Sequence, residues 1–273
     1  MAYDGRAMRL VSPADEILPL GDEALGDSQL DLDALARHWA PYAARPPMTA
    51  EQMRGADVRA QRLGLSGAQL MEQAGAAVAA AARAVLNSTD RPSSGTVLLL
   101  AGPGNNGGDA LVAARQLAAG GTRCVVALIA SERRPGTRDA LRNWQRLGSE
   151  TNVERMVCAT AHDVAVLLSG LERAALVVDG LLGTGVSGRL RDPISEAVEL
   201  CRRARSLGVP VLAIDTPTAL DLSSGQPSEP VVHADVTVTF HRPKHGLLTR
   251  TGSALAGRVL VAPIGIPPEA DVG

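Results

Sequence analysis

The sequence predicts an α/β protein, a three-layer αβα sandwich around a Rossmann-like, mostly parallel central sheet. From residue 96 onward, apolar runs of strand length alternate with stretches of helical periodicity, a pattern typical of parallel sheets covered by helices. The runs are nearly continuous in Val, Leu and Ile, as expected for strands that are buried on both faces. The 273 residues include only two Trp, two Tyr and one Phe, so the core must consist of aliphatic side chains.

The predicted strands are seven short apolar runs, at residues 96–100, 124–129, 155–157, 175–178, 211–214, 236–240 and 259–261. Thr49 and Gln52 form a capping-box pattern that opens a helix to about residue 63. Ser66 opens a second helix, which has an apolar, Ala-rich face over 70–86. Further helices are predicted at 109–119, 138–147, 163–171 and 194–207.

Residues 1–47 differ in composition from the rest of the chain. They contain five prolines, scattered acids and one short helical pattern, around residues 30–39. We interpret them as an N-terminal extension: an arm, a lid or a partly disordered tail. The α/β domain is predicted to span residues 48–273.

Composition excludes several classes of function. Near-equal numbers of basic and acidic side chains, 27 and 29, give a net charge of −2, which argues against nucleic acid or an anionic membrane as partner. The chain has no run of 18 apolar residues, and acids interrupt the first twenty residues, so neither a transmembrane helix nor a signal peptide is predicted. Its three cysteines are widely separated, which argues against disulfides and zinc. We therefore expect a soluble cytoplasmic protein.

The loop after the first strand, residues 102–109, reads Gly-Pro-Gly-Asn-Asn-Gly-Gly-Asp. In a parallel sheet, ligands bind beyond the carboxyl ends of the strands. Glycines allow the backbone to approach a ligand closely, and the start of the next helix favours phosphate. The loop also contains G-x-G-x-x-G, the dinucleotide fingerprint. A tight strand-to-helix turn without a ligand is the alternative interpretation.

Two later strands end in an acid. Asp179 follows the fourth strand and begins a second glycine-rich loop that ends at Arg189, whereas Asp215 follows the fifth strand. Carboxylates that converge from strand ends suit acid/base chemistry or a cation site. The alternatives are a solvated charge for Arg189 and, for Asp215, an Asx-turn before Pro217.

Together these loops resemble those of the NAD(P)H-hydrate epimerases, the YjeF N-terminal domain family. The resemblance rests on residues 102–115, 179–185 and Asp215 onward, in that order. It extends to the segments 48–53, 70–75, 234–235, 243–247 and 264–267. It therefore covers about residues 48–268, nearly all of the chain beyond the extension.

The resemblance implies an isomerase of cofactor repair. Reduced nicotinamide cofactors become hydrated at C6 in R and S forms, named NADHX and NADPHX. The family interconverts the two epimers, so that a separate NAD(P)H-hydrate dehydratase that accepts only the S form can restore the cofactor. A homodimer is also implied, and we expect the helix over 70–86 to form its contact.

The resemblance also implies the site residues. Asp215 would be the catalytic acid/base at C6. One potassium ion per subunit would bind to Asn106, Asp179 and Thr218, whose oxygen atoms suit a hard monovalent cation. The implied substrate contacts are Asn105, Asn106, Gly107, Gly108, Asp109, Gly183, Thr184, Gly185, Val186, Ser187, Gly188, Arg189 and Asp215.

Some positions depart from the family pattern. The third loop reads Asp-Thr-Pro-Thr-Ala-Leu where the family has Asp-Ile-Pro-Ser-Gly-Leu, so Thr218 keeps the hydroxyl and Ala219 replaces a glycine. An Ala at that position is strained if the backbone requires a positive φ. Ala110 stands where Gly is usual, Gly180 where Ala is usual and Gln116 where His is common. None of these changes removes a proposed ligand.

Two other functions remain open from the sequence. The third-loop substitutions and the extension favour a catalytically silent binding module of the same family, which the retention of Asp109, Asp179 and Asp215 opposes. The G-x-G-x-x-G match favours an NAD-dependent dehydrogenase, with Glu132 at about the spacing of a ribose-binding acid. The absence of a Tyr-x-x-x-Lys pair argues against the dehydrogenase.

Overall fold

A computed structural model describes residues 22–91, 95–183 and 189–272, which surround a seven-stranded parallel sheet. The order of the strands across the sheet is β3-β2-β1-β4-β5-β6-β7. All seven predicted strands are present, and their ends lie within two residues of the predicted ones, so the Rossmann-like α/β fold is confirmed. The strands are β1 (Thr96–Ala101), β2 (Cys124–Ile129), β3 (Val153–Cys158), β4 (Ala174–Gly180), β5 (Val211–Ile214), β6 (Val236–Phe240) and β7 (Arg258–Ala262).

The described part of the chain forms these α-helices: α1 (Leu32–Ala43), α2 (Ala50–Arg62), α3 (Gly67–Asn87), α4 (Asn105–Ala119), α5 (Arg138–Arg146), α6 (Ala161–Ala165), α7 (Ile194–Ser206), α8 (His245–Leu248) and α9 (Arg250–Ala256). Both capping boxes predicted at the starts of α2 and α3 are present. Thr49 and Gln52 bond reciprocally at α2, and Ser66 and Gln69 do so at α3.

The sheet is buried on both faces. Alternate residues of β1 show this, since Leu99 packs with α1, α3 and α4 on one face and Leu100 packs with α6 and α7 on the other. Both side chains are fully buried. This is the three-layer arrangement that the continuous apolar runs predict.

The described part of the N-terminal extension packs against the sheet domain. Leu35 and Trp39 of α1 are buried in the same cluster as α3 and β7. The indole N–H of Trp39 donates to the Asp22 carboxylate at 2.8 Å, and Arg258 of β7 pairs with Asp33. Residues 22–47 therefore contribute side chains to the core.

Three sequence expectations about helices are wrong. The helix predicted at 163–171 ends at Ala165, because the capping residue is Thr160 and a short 3-10 segment follows α6. The helix predicted from residue 109 begins at Asn105. No helix was predicted at residues 245–248, where His245 begins α8.

The predicted dimer contact through residues 70–86 is also wrong. This segment lies in α3, which packs against α1 and α4 of its own chain. Ala77, Ala81 and Ala84 have no exposed surface. A helix covered in this way has no free apolar face for a second copy.

None of the described helices has the length and apolarity needed to cross a membrane.

Candidate functional site

The loops after β1, β4 and β5 line one cavity of about 500 Å³. It lies where the order of the strands reverses, between β1 and β4, which is the usual ligand position in such sheets. The sequence-predicted residues among its walls are Asn105, Asn106, Asp109, Gly183 and Asp215. Helices α2 and α3 supply further walls, including Met53, Arg54, Asp57, Leu70 and Met71.

Two glycines of the first loop, Gly102 and Gly107, lie where the backbone touches other backbone. A Cβ on Gly102 would lie 1.7 Å from the carbonyl oxygen of Leu181, and one on Gly107 would lie 1.9 Å from that of Gly102. The N–H of Gly102 donates to the carbonyl of Gly180 at 2.9 Å. The first and second loops are thereby held in direct contact beside the start of α4, where no side chain caps the helix.

Asn106 connects the first loop to the third. Its side-chain N–H₂ group donates to the carbonyl of Ile214, the last residue of β5, at 2.8 Å. The rest of its amide fills the space where Gly183 lacks a side chain, since a Cβ there would lie 2.6 Å from Asn106 Oδ1. The three strand-end loops therefore meet at this one amide.

Asp215 occupies a strained turn at the end of β5. Its φ is +61°, and the N–H of Thr216 donates to the carbonyl of Ile214 at 2.7 Å, which closes a three-residue γ-turn. A left-handed conformation is rare for residues other than Gly, although Asp and Asn tolerate it. Its carboxylate reaches the cavity, where it accepts a hydrogen bond of 2.9 Å from the Thr239 hydroxyl.

Lys244 lies behind Asp215 and is completely buried. Its ammonium donates to Thr239 Oγ1 at 2.9 Å and to the carbonyl of Phe240 at 2.6 Å, and it lies 3.4 Å from Asp215 Oδ1. Burial lowers the pKa of Lys244, and the neighbouring Asp215 carboxylate opposes that shift. Lysine, threonine and aspartate thus form a short chain of hydrogen bonds that places a positive charge next to Asp215.

Two more carboxyl groups line the same cavity. Burial raises the pKa of Asp57, and the negative charge of Asp215 raises it further, whereas Lys244 lowers it. Asp109, in the first turns of α4, is buried, and desolvation raises its pKa well above the ordinary value, with contributions from Asp215 and Asp57. Burial and the neighbouring carboxylates thus raise the pKa of both acids, and Lys244 is the buried cation that opposes this at Asp57.

Asp179 and Thr218 are buried beside the cavity and contact each other. Asp179 accepts bonds from the Thr218 hydroxyl at 2.7 Å, from the Thr218 N–H at 2.8 Å and from the Leu181 N–H at 3.2 Å. Burial nevertheless raises the pKa of Asp179 to about 6, because the stabilising groups are neutral donors. A bound cation would relieve that penalty.

The oxygen atoms next to Asp179 are of the type that a potassium ion binds. The donor set consists of oxygens, since Thr218 Oγ1 lies 2.7 Å from Asp179 and 3.4 Å from the carbonyl of Leu182. Oxygen ligands with a single negative charge suit a hard monovalent cation. Among the described residues, no group of three His, Cys, Asp or Glu side chains forms a transition-metal site.

The departures from the family pattern have structural consequences. Ala219 has a φ of +74°, so the Ala that replaces a glycine occupies the positive-φ conformation that the sequence analysis identified as strained. Ala110 and Gly180 face each other, because a Cβ added to Gly180 would lie 2.8 Å from Ala110 Cβ. The exchange of Gly and Ala between these positions thus conserves volume.

Some predicted site residues lie away from the cavity. Gly107 and Gly108 are buried within α4, where a Cβ on Gly108 would meet the Met71 side chain. Arg189 is exposed and is not among the residues that line the cavity. Thr184, Gly185, Val186, Ser187 and Gly188 fall outside the described residues. The roles of all these residues stay predictions.

Asp57 and Lys244 were not predicted as site residues, although Lys244 lies within the resembling segment 243–247. A signal for Asp57 was available, since Arg54, Asp57 and Gln61 are spaced along one face of α2 and all line the cavity. Lys244 had no local signal, because its partners at residues 215 and 239 are brought to it by the sheet.

Comparisons with known proteins agree with the fold. Residues 67–246 match the family model described as the YjeF-related protein N-terminus. The fold is similar to the crystal structure of the yeast protein YNL200c, with a TM-score of 0.65 at 26% identity, covering 80% of this chain and 87% of that one.

Two named relatives illustrate the similarity. The chain is 36% identical over 226 residues to the NAD(P)H-hydrate epimerase of Cenarchaeum symbiosum, which covers 83% of this chain and 98% of the relative. It is 39% identical over 226 residues to the bifunctional NAD(P)H-hydrate repair enzyme Nnr of Pyrobaculum aerophilum, which covers 82% of this chain and 43% of the relative. The chain thus spans about two-fifths of the length of the bifunctional relatives.

Proposed function

The chain belongs to the family of YjeF-related N-terminal domains, and on that premise we propose that it interconverts the R and S epimers of NADH and NADPH hydrated at C6. The observation that carries the proposal is the cavity into which Asp109, Asp215 and Asn106 converge. A relative similar over 98% of its own length is named NAD(P)H-hydrate epimerase, which supports the same reaction.

We propose Asp215 as the acid/base at the reacting carbon. C6 carries a hydroxyl and is bonded to the ring nitrogen, whose lone pair stabilises an electron-poor centre once the C–O bond weakens. A carboxyl within hydrogen-bond reach of the hydroxyl contributes roughly 10²–10⁴-fold to such proton transfers. Lys244 supports this role, because its charge lies 3.4 Å from Asp215 Oδ1 and stabilises the ionised form.

Potassium belongs to the proposal as a structural ion. Asn106, Asp179 and Thr218 would hold it, and when bound it would neutralise the buried Asp179 and fix the three loops to one another. Asn106 already bonds to the end of β5 and Thr218 to Asp179, so the same residues connect all three loops. Asn106 also lines the substrate cavity.

The partners in the proposal are small molecules and one further enzyme. NADHX and NADPHX are the substrates, and a separate NAD(P)H-hydrate dehydratase consumes the S epimer. In bifunctional relatives, the similar region makes up about two-fifths of a longer repair enzyme. A cytoplasmic location and a homodimer are also part of the proposal.

Equilibration of a single epimer tests the function. Purified R hydrate is incubated with the protein, and the S hydrate is followed by chiral chromatography, beside the Asp215→Ala variant and buffer alone. Conversion that is faster than in buffer and lost in the variant supports the epimerase. Equal rates in all three samples would favour a silent binding module, and transfer of hydride to a ketone would favour a dehydrogenase.

A further inference from the structure

Asp57 is a carboxyl group to which neither the sequence nor the comparisons assign a role. It lies on the face of α2 that lines the cavity, between Arg54 and Gln61. Its side chain is half-buried, and no hydrogen bond or ion pair to another described residue holds it. A partly desolvated acid with no structural partner, directed at the cavity that contains Asp215, is available for a ligand.

Asp57 and Asp215 have different charged and polar neighbours. Asp215 has Lys244 and the Thr239 hydroxyl as neighbours, and both stabilise its carboxylate. Asp57 has no such partner, and burial together with the negative charge of Asp215 raises its pKa. Two neighbouring acids with such different surroundings are the usual arrangement of a proton donor and a proton acceptor.

The remaining charged groups of the cavity are less suited to this role. Asp109 also has a raised pKa, but it lies on α4, next to the first loop, whereas Asp57 lies on the separate wall formed by α2 and is the more exposed of the two. Arg54 and Asp139 line the cavity too, yet neither contributes to the shifts of Asp57 or Asp109. Asp57 is therefore the candidate for a second acid/base in the cavity.

Epimerisation by loss and return of water involves both faces of the ring. Loss of the C6 hydroxyl as water leaves a planar carbon that is doubly bonded to nitrogen. A group on one wall can return water only to the face it borders, which regenerates the same epimer. Inversion requires a second group at the opposite face, and microscopic reversibility gives the two groups opposite protonation states.

We propose that Asp57 is a second catalytic acid/base, which serves the face of the nicotinamide ring that Asp215 does not; the inference rests on the proposed epimerase function. In one direction the neutral Asp57 carboxyl protonates the C6 hydroxyl, the C–O electron pair leaves with water, and the nitrogen lone pair forms the C=N bond. Water then adds to the other face, its proton passes to Asp215, and nitrogen regains its lone pair. In the reverse direction the roles are exchanged, and solvent exchange through the open cavity resets both protons.

The first test is a set of matched variants. Asp57→Asn keeps the shape of the side chain and removes the proton, so we expect R-to-S conversion to slow by roughly 10²–10⁴-fold. Asp57→Glu keeps the acid and should recover part of the rate. Glu51→Gln is the matched control, because Glu51 is an exposed acid of α2 outside the cavity, and it should retain the wild-type rate.

The second test is the pH dependence of the rate. The wild-type rate depends on the pair that shares one proton, so it should fall on both sides of an optimum. Because the pKa of Asp57 is raised, the alkaline side reflects loss of its proton as pH increases. Asp57→Asn should leave a profile with a single limb. A residue that only supports the fold would lower the rate without changing the form of the profile.

The third test needs no variant. In water enriched in oxygen-18, each conversion by the wild-type protein should place one solvent oxygen at C6, above the exchange in buffer alone. Retention of the original oxygen would overturn the inference.

The outcomes distinguish the inference from the function on which it rests. A wild-type protein no faster than buffer removes the proposed function. If the wild-type protein is active but the Asp57→Asn variant binds NADPH, keeps the full rate and keeps both limbs of the pH–rate profile, only the role of Asp57 is overturned. The role of Asp57 is supported if the variant is slow and has a pH–rate profile with one limb, while its circular dichroism spectrum and NADPH binding stay intact.

Discussion

The turns after β5 and β6 have the same backbone and different surroundings. Asp215 has a φ of +61° and His241 a φ of +66°. In each turn the next N–H donates to the carbonyl of the strand's last residue at 2.7 Å. Each central N–H donates to the neighbouring strand, Asp215 to Val238 at 2.7 Å and His241 to Ala262 at 2.8 Å.

The side chains of the two turns meet different groups. Asp215 reaches the cavity, with Lys244 and Thr239 behind it. His241 is 3% exposed, and its Nε2 lies 2.9 Å from the carboxylate of Asp271 near the C-terminal end of the described chain. Arg242 pairs with the same carboxylate at 2.6 Å.

The difference shows what a strained strand-end turn does and does not indicate. The left-handed residue directs its side chain beyond the edge of the sheet in both cases. At β5 the side chain meets an open cavity and a buried cation, whereas at β6 it meets a segment of its own chain. Strain therefore identifies a position, and the groups around that position determine whether it serves chemistry or stability.

The largest expected effect is a loss of activity on substitution at the β5 turn and not at the β6 turn. Asp215→Asn should slow epimerisation by roughly 10²–10⁴-fold, because the amide cannot exchange the proton, and should fold normally, because Asn tolerates a positive φ. His241→Asn should instead keep the rate and lose about 1–2 kcal/mol of unfolding free energy with its contact to Asp271. Chiral chromatography and urea unfolding of both variants measure this. Similar losses of rate in the two would contradict the comparison.

A second prediction concerns the ion on the β5 side. The pKa of Asp179 is about 6 in the folded protein, above the ordinary value of 3.8 that it has in the unfolded chain, so the unfolded chain releases this proton first as pH rises. Without a bound cation, this group should cost the fold about 2 kcal/mol as pH rises from 4 to 7. Potassium should restore that stability at pH 7 and have little effect at pH 4, where Asp179 is neutral.

Thermal unfolding in potassium and choline chloride at both pH values measures this effect. The unfolding temperature of Asp179→Asn should be the same in the two salts. That of His241→Asn should change with the salt as in the wild-type protein, because His241 belongs to the other turn. A potassium response that survives in Asp179→Asn would place the ion elsewhere.

A third prediction tests whether the packing of Gly180 against Ala110 and Ile214 fixes the position of the β5 turn. A Cβ at Gly180 would lie 2.8 Å from Ala110 Cβ and 3.2 Å from Ile214 Cδ1, the residue before Asp215. Gly180→Ala should therefore destabilise the protein by about 1–3 kcal/mol and slow the reaction, because overpacking here displaces the β5 turn. The double variant with Ala110→Gly should recover most of both losses. Additive losses in unfolding free energy and rate would show that the two positions do not compensate.

The contrast between the two turns also explains how far the sequence could predict the molecule. The strands were predictable because parallel strands buried on both faces are continuous apolar runs, and Asp179 and Asp215 were predictable because they end such runs. The helices α8 and α9 were not, since four and seven residues are too few for a helical period. The sequence marked α2 as a helix and could not show that this helix faces the cavity.

Lys244 shows the same limit within the site. It follows the β6 turn in sequence, yet its charge lies at the β5 turn, 3.4 Å from Asp215. The contact joins residues 29 positions apart through the pairing of β5 with β6. Only the register of the sheet makes this contact visible.

The smallest expected effect concerns a third left-handed residue, which lies in the β5 loop and has no chemical role. Ala219 has a φ of +74°, so Ala219→Gly should raise the unfolding free energy by about 1 kcal/mol and leave the rate unchanged. Gly64→Ala is the matched control, because its φ is +102° and a Cβ there would meet nothing within 4 Å, so the strain of a side chain alone should cost about 1 kcal/mol. Urea unfolding measures both. If Ala219→Gly lowers the rate as well, the strain at this position contributes to the placement of Asp215, and the β5 loop acts as one rigid unit with its catalytic turn.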